Sequence, residues 1–165
     1  MRYYRCVNTF KEFYNRQRRK FLSYLIRRSG DYHVACDIMQ ESFTRLYEKY
    51  TAEGYTPQLL YTIGRNLALD SLRKRKNHPA ALEEDHPSAD SQEHTLMVRD
   101  EYRRVLAAMR HLEEDERDLL ALVVSSDMAY RELARITGTS EANVKVKIHR
   151  ARKKLRAYLK AGTHE

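Results

Sequence analysis

The stretch Ser140–Leu155, "SEANVKVKIHRARKKL", sets Lys145, Lys147, His149, Arg150, Arg152, Lys153 and Lys154, with Arg156 one residue on, against a single acid, Glu141. Cations at this density bind anions, and guanidinium and ammonium groups suit phosphate oxygens above all. No comparable case exists for bond-breaking chemistry. The chain offers no nucleophile beside a base, no phosphate-cradling glycine loop and no metal cluster, so it is read as a non-enzyme with no cofactor. His33 and Cys36, three residues apart, can share one side of a helix. Two ligands without partners make a poor zinc site, and buried helix residues are the plainer reading.

The elements that must position these cations can be traced in "YRELARITGTSEANVKVKIHRARKKL" (Tyr130–Leu155). A short helix over Tyr130–Ile136 would stop at Gly138, where a turn takes positive φ at little steric cost. Ser140 can cap the next helix, with Glu141 favourable in its first turn. Ala134 is small enough for two helices to cross closely, and Val144 fills the angle between them. The order Ala134, Gly138, Val144 is the spacing of a helix-turn-helix. Val144, Ile148, Ala151 and Leu155 make the buried stripe of the second helix, which leaves the cations on its other faces. A charge run alone suggests a solvated helix closing a bundle; the turn signature ahead of it points to DNA. In such a motif the start of the second helix enters the major groove. Asn143 can address adenine there, and lysine or arginine guanine. Cations further along meet phosphates, which position without specifying.

Around this motif the chain organises into blocks. Residues 1–76 carry sixteen Lys and Arg against seven acids, 77–97 none against five, and 98–165 fifteen against eleven, within a net charge of +8. Two basic blocks thus flank an acidic one, "NHPAALEEDHPSADSQEHT" (Asn77–Thr95), which holds two of the three prolines and reads as a linker. Ahead of it, Phe10, Phe13, Phe21 and Leu25 recur at helical spacing. Ala35, Ile38, Met39, Phe43, Leu46 and Tyr50 mark a second helix ending before Gly54. Thr56-Pro57 opens a third, with Thr as N-cap, carrying Leu60, Ile63 and Leu67 on one face. Beyond the linker, Val98, Tyr102, Val105 and Met109 give a helix. Leu119, Leu120 and Val123 give another, after the acids of "EEDE". Nothing alternates with a period of two. The expected fold is all-α, two small helical domains joined by a flexible acidic linker, over 1–76, 77–95 and 96–165. No run of about 18 apolar residues suggests a membrane span. No secretory leader pattern opens the chain, and Cys6 and Cys36 form no disulfide framework, so a cytoplasmic protein is expected.

The segment "HLEEDERDLLALVVSSDMAYRELARITGTSEANVKVKIHRARKKL" (His111–Leu155) closely resembles region 4 of bacterial sigma factors of the extracytoplasmic-function (ECF) group. "DIMQESFTRLY" (Asp37–Tyr47) resembles region 2.2, the helix with which such factors grip core RNA polymerase. "IGRNLALDSLRKRK" (Ile63–Lys76) resembles regions 2.3 to 2.4, which read and open the −10 element. The resemblance implies a protein that binds core RNA polymerase, at its β′ coiled coil and β flap, and directs promoter recognition and melting. Asp37, Ile38, Gln40 and Glu41 would bind the enzyme. Asn66 matches the asparagine that helps hold an extruded −10 base, with Arg65, Arg73, Lys74 and Arg75 on promoter backbone nearby. Tyr130, Arg131, Asn143, Lys145, Val146, Lys147, His149, Arg150 and Arg152 would form the −35 surface. An anti-sigma factor is the expected regulator, and the acidic linker would thread the polymerase cleft.

The chain departs from the family at several points. Leu59-Leu60 stands where a Trp-Leu pair is common, Gly64 replaces Ala, and Ala129 replaces a capping Ser or Thr. "EKYTAEGYTPQ" (Glu48–Gln58) is shorter than the usual loop around the extruded base; Tyr50, Tyr55 and Tyr61 can offer stacking surface instead, and Tyr61 suits a core position equally well. Two other classes remain as rivals. A stand-alone helix-turn-helix regulator would bind promoters tightly without polymerase and would leave "DIMQES" unexplained. A basic amphipathic membrane binder would follow anionic lipid rather than promoter sequence.

Overall fold

The computed structural model describes residues 2–51, 54–77 and 94–161, and side chains at 9–51, 54–74 and 100–161. Most of the linker, and the side chains of Cys6, Arg75 and Val98, lie outside the described residues. Among the described residues seven helices follow one another and no strand occurs: α1 (Arg2–Ser29), α2 (Tyr32–Lys49), α3 (Pro57–Asn77), α4 (His94–Arg110), α5 (Glu114–Ser125), α6 (Tyr130–Thr137) and α7 (Glu141–Ala161).

Local chemistry sets the breaks. The turn after α1 places Gly30 at φ 70°, a conformation strained for any residue with a Cβ. Asp31 then caps α2, its side chain accepting the Val34 N–H at 3.0 Å. Thr56 caps α3 as its sequence suggests, taking the Leu59 N–H at 3.2 Å. At α6 the alanine offers no acceptor; instead Glu132 reaches back to accept the Ala129 N–H at 2.8 Å, one half of a capping box. Three acids in the first turn of α5 complement its dipole.

Helices α1, α2 and α3 pack as a bundle around aromatic rings. Phe43 meets Phe21 edge-on at 5.8 Å and Tyr14 at 4.7 Å, and Phe21 meets Tyr61 at 5.1 Å. Edge-to-face contacts of this kind add to the burial of large apolar area. Gly64 lies against this cluster. A Cβ there would stand 2.8 Å from Phe21 Cε2 and nearer still to Cζ, which explains the missing alanine of the family pattern. The pairing of His33 with Cys36 as buried residues does not hold, because His33 sits exposed in the first turn of α2 while Cys36 is half-buried.

The second half builds outward from α5. Leu119, Leu120, Ala121 and Leu122 are all buried, in succession, because α5 lies between α7 on one side and α1 on the other. An unbroken apolar run is what a helix covered on several faces requires. The two helical units therefore share one continuous buried interior, and α6 also touches α3. Polar contacts line the same seam. Tyr24 O–H donates to Asp118 Oδ1 at 2.8 Å, Tyr61 O–H to Ser125 O at 3.3 Å, and Gln58 Nε2 to Glu132 at 3.2 Å. Arg110 Nη2 donates to Gly30 O at 2.7 Å, and Lys20 pairs with Asp127.

Two outcomes follow from this packing. Gly64→Ala should lower stability by roughly 1–2 kcal/mol, since overpacking against Phe21 outweighs the helix propensity gained; a shifted urea midpoint at unchanged m-value measures it. The second concerns alkali. Burial, and secondarily the Asp118 carboxylate, holds the Tyr24 phenol well above its usual value of 10.0, and burial raises Tyr61 as well. The unfolded chain loses these protons above pH 10 while the folded chain keeps them. Stability should be unaffected below that pH and fall above it, by up to about 1.4 kcal/mol per pH unit for each tyrosine. Urea titrations from pH 8 to 11 test this, and Tyr24→Phe should make the decline shallower.

Candidate nucleic-acid and polymerase interface

Helices α6 and α7 form the helix-turn-helix foreseen from the sequence. Ala134 is buried at the crossing, Gly138 ends α6 in the left-handed conformation at φ 67°, and Val144 is fully buried in the angle. Ser140 caps α7, accepting the Asn143 N–H at 3.2 Å. Val144, Ile148 and Ala151 are buried and Leu155 is half-buried, so one stripe is consumed by packing on α4, α5 and α6. At about 100° per residue the opposite side carries Val146, His149, Arg150 and Lys153, with Asn143 and Lys145 at its borders; all six are exposed. Val146, 46% exposed, is an apolar side chain facing water in the middle of a polar surface. Such a residue suits a thymine methyl.

Two cations of α7 lie elsewhere. Lys147 leans towards α5 and binds Asp115 at 2.7 Å, and Lys154 binds Glu116 at 2.8 Å. The hydrogen bond from Lys147 is the main reason that the Asp115 carboxyl lies below its usual range. Lys147, expected on the −35 surface, lies on its flank and has this internal partner. Tyr130 is half-buried at the start of α6, with Arg131 exposed beside it, and Arg152 is exposed on α7. Asn143 is oriented by donating through Nδ2 to Thr139 Oγ1 at 2.7 Å.

On α2, Asp37, Gln40 and Glu41 are exposed along one face at spacings of three and four. Glu41 pairs with Arg45 at 2.6 Å. Ile38 points the other way, 6% exposed, and supports this face from the core rather than from its surface. A groove of about 460 Å³ borders it, lined by Phe10, Tyr14, Met39, Gln40, Phe43 and Tyr47 among others.

On α3, Asn66, Arg73 and Lys74 are exposed, with Arg73 near Asp70 at 3.9 Å. Arg65 is not free. Its Nε lies 2.6 Å from Asp118 Oδ2 on α5, and its side chain is 17% exposed. Of the tyrosines that can stack on a base, Tyr61 is buried and Tyr55 is half-buried against Phe10 and Phe13, at 5.4 and 6.0 Å between ring centres. Tyr50, 41% exposed, keeps an open face.

Sequence reading missed a cluster formed by Arg28, Tyr24, Arg65, Glu114 and Asp118. Arg28 is 1% exposed and bonds Glu114 Oε1 through Nη2 at 2.9 Å, with Nε 3.1 Å from Asp118 Oδ1. A signal for it existed: Phe21, Tyr24, Leu25 and Arg28 share one helical stripe, and a cation on an apolar stripe implies a buried acid elsewhere. Which acid answers it depends on tertiary pairing.

Known proteins resemble this chain in both of its halves. The sigma-70 region 2 family matches residues 13–78 and the sigma-70 region 4 family matches residues 102–155. The ECF RNA polymerase sigma factor SigM of Bacillus subtilis is 28% identical over 95% of this chain and 99% of its own length. EcfG, an ECF sigma factor of Rhodopseudomonas palustris, is 29% identical over 83% of this chain and 77% of its own. Among solved structures, the sigma factor RpoE of Bartonella quintana, in complex with the anti-sigma factor NepR, superposes with a TM-score of 0.73 at 22% identity, over 92% of this chain and 96% of that one. CnrH, in complex with the cytosolic domain of CnrY, gives 0.70 at 22% identity, over 92% of this chain and 88% of that one. With its two family regions in order on an all-helical frame, the chain belongs to the sigma-70 family of RNA polymerase sigma factors, in the ECF group.

Proposed function

We propose that this chain binds core RNA polymerase and directs it to promoters, reading the −35 element with α7 and capturing the −10 element with α3. The observation that carries this reading is the presence on one chain of two separate exposed surfaces. One is the Asn143, Val146, His149 and Arg150 face of a helix-turn-helix, and the other is the Asp37, Gln40 and Glu41 face of α2. A regulator that acted alone would need only the first.

The division of labour follows residue type. Residues 1–76 form the unit for polymerase and the −10 element, 77–95 the linker, and 96–165 the unit for −35. Asn143, Lys145, Val146, His149 and Arg150 meet base edges, and Arg152 and Lys153 meet phosphate. Asn66 holds an extruded base by hydrogen bonds, with Tyr50 as the available stacking face. Arg73 and Lys74 fix the backbone nearby. Unstacking costs a few kcal/mol, which these contacts offset only on the opened strand. Melting then follows from differential binding of the open form, and no covalent step is required. The chain works where core polymerase works, in the cytoplasm. No helix among the described residues is long and apolar enough to cross a membrane. An anti-sigma factor is the expected controlling partner, as in the solved RpoE–NepR complex that shares the fold.

Run-off transcription of genomic fragments by core polymerase, with and without this protein, is the direct test. The protein should confer new, discrete start sites; a failure to do so at any salt concentration refutes the reading. Two double variants separate the surfaces. Lys145→Ala with Arg150→Ala should lower transcription from −35-dependent promoters roughly 10- to 100-fold, each lost base contact costing about 1–3 kcal/mol, while co-elution with core enzyme is retained. An equal loss on promoters with a scrambled −35 would remove the −35 assignment. Asp37→Ala with Gln40→Ala should weaken co-elution with core enzyme at least tenfold, as expected where central polar anchors of an interface are truncated. Unchanged co-elution would remove α2 from the interface.

A further inference from the structure

The turn between α6 and α7 holds one side chain of the recognition helix in a fixed orientation. Gly138, at φ 67°, lets the chain fold back so that the Thr139 N–H bonds Ala134 O at 3.0 Å. That bond closes a Schellman-type helix ending and fastens Thr139, itself half-buried, to α6. Across the turn, Ser140 Oγ accepts the Asn143 N–H at 3.2 Å, which fixes the backbone of Asn143 in the first turn of α7. The side-chain amide of Asn143 then donates through Nδ2 to Thr139 Oγ1 at 2.7 Å. Glu141, the single acid of α7, pairs with Lys145 at 2.9 Å and leaves the amide to Thr139.

A carboxamide shows a base two different ends: Oδ1 accepts, and Nδ2 donates through two hydrogens. Free to rotate, it adapts to acceptors and donors alike. The bond to Thr139 removes that choice. One Nδ2 hydrogen is spent inside the turn, and Oδ1 with the remaining hydrogen makes an acceptor–donor pair. In the major groove adenine alone offers the matching edge, its N6 amine beside the N7 acceptor. Guanine shows two acceptors, cytosine only a donor, and thymine an acceptor beside a methyl. The direction of the bond has its own cause. A hydroxyl can donate or accept, whereas a phosphate only accepts. Thr139 stands just ahead of the N-terminus of α7, the end of a recognition helix that meets the DNA backbone. Once its proton is turned to a phosphate, only lone pairs face Asn143, and the amide must donate.

We propose that Thr139 is a positioning residue for −35 recognition, which holds the Asn143 amide with Oδ1 towards the groove and so makes Asn143 a reader of adenine. This rests on the reading of α7 as the −35 helix. A backbone contact sets the hydroxyl, the hydroxyl sets the amide, and the amide selects the base. A phosphate that carries no sequence information thereby sharpens a contact that does. Because the amide is oriented before DNA arrives, little rotamer freedom is left to lose on binding.

The test uses the full chain with core polymerase on promoter fragments that carry each base in turn at every −35 position, with relative initiation read by run-off transcription. The wild-type chain should favour adenine at one position by roughly tenfold or more, the discrimination of a bidentate contact. Asn143→Ala should erase the preference at that position alone. Thr139→Val keeps the side-chain shape and the backbone bond to Ala134 but has no hydroxyl. It should cut the adenine preference there to about threefold or less, as orientation is lost, while preferences at the other positions and the helical circular dichroism stay as in the wild type. Thr139→Ser, which brings the hydroxyl back, should restore the preference. Should Thr139→Val fold poorly, Thr139→Ala takes its place with the same expectation. An equal drop for every base at every position would make Thr139 a cap of the turn only and overturns the proposal. A full adenine preference in Thr139→Val overturns it too, as does a preference for guanine or thymine at the position that Asn143→Ala affects. Start-site selection that ignores Asn143→Ala at every −35 position defeats the positioning role alone, whereas absent start-site selection by the wild-type chain defeats the sigma-factor reading beneath it.

Discussion

A carboxylate withdrawn from water loses hydration that only cations and hydrogen-bond donors can replace, and the penalty for leaving it unpaired is several kcal/mol. Asp118 is placed in that position by the apolar run around it, since Leu119 to Leu122 pull α5 into the interior from both sides. Its partners must therefore come from whatever packs against it, and those are Tyr24, Arg28 and Arg65. The relation of the two halves, the burial of Arg28 in an aromatic bundle and the pairing of Arg65 all depend on meeting this one charge.

The same constraint explains why the surfaces of the chain differ in readiness. The face of α7 around Val146 and His149 is exposed, because its packing stripe is satisfied on the opposite side by Val144, Ile148 and Ala151. The face of α2 around Asp37 and Gln40 is exposed for the same reason, with Ile38 and Phe43 turned inward. On α3 the exposed residues and the captured one alternate: Asn66 and Arg73 face water, while Arg65, one residue before Asn66, turns to α5. Helical geometry places neighbours in sequence about 100° apart, which suffices to give adjacent residues different partners.

Aromatic packing plays a quieter part. The rings of Phe10, Phe13, Phe21 and Phe43 fill the space between α1, α2 and α3, and Gly64 exists to admit one of them. Tyr61 is drawn into this cluster and across to Ser125, so a residue chemically able to stack on a base is used as core. A rigid aromatic interior of this kind holds α2 and α3 at a fixed angle, which a site built from separate helices requires.

Much of this was legible before any coordinates. The helix-turn-helix could be read because its determinants are local: a small residue at the crossing, a glycine at positive φ and a capping serine lie within a dozen residues, and the structure has each in place. The caps at Thr56 and the breaks near Gly54 and Gly138 were likewise set by their own side chains and backbone. The glycine at 64 could be seen as a departure but not explained, since the ring that requires it lies forty-three residues away, at Phe21. The diversion of Lys147 to Asp115 and the capture of Arg65 by Asp118 were equally out of reach. Periodicity says which side of a helix is apolar, but a charged side chain at the edge of that side is claimed by whichever element arrives beside it. That choice depends on contacts between residues far apart in the chain, and only the tertiary fold makes it.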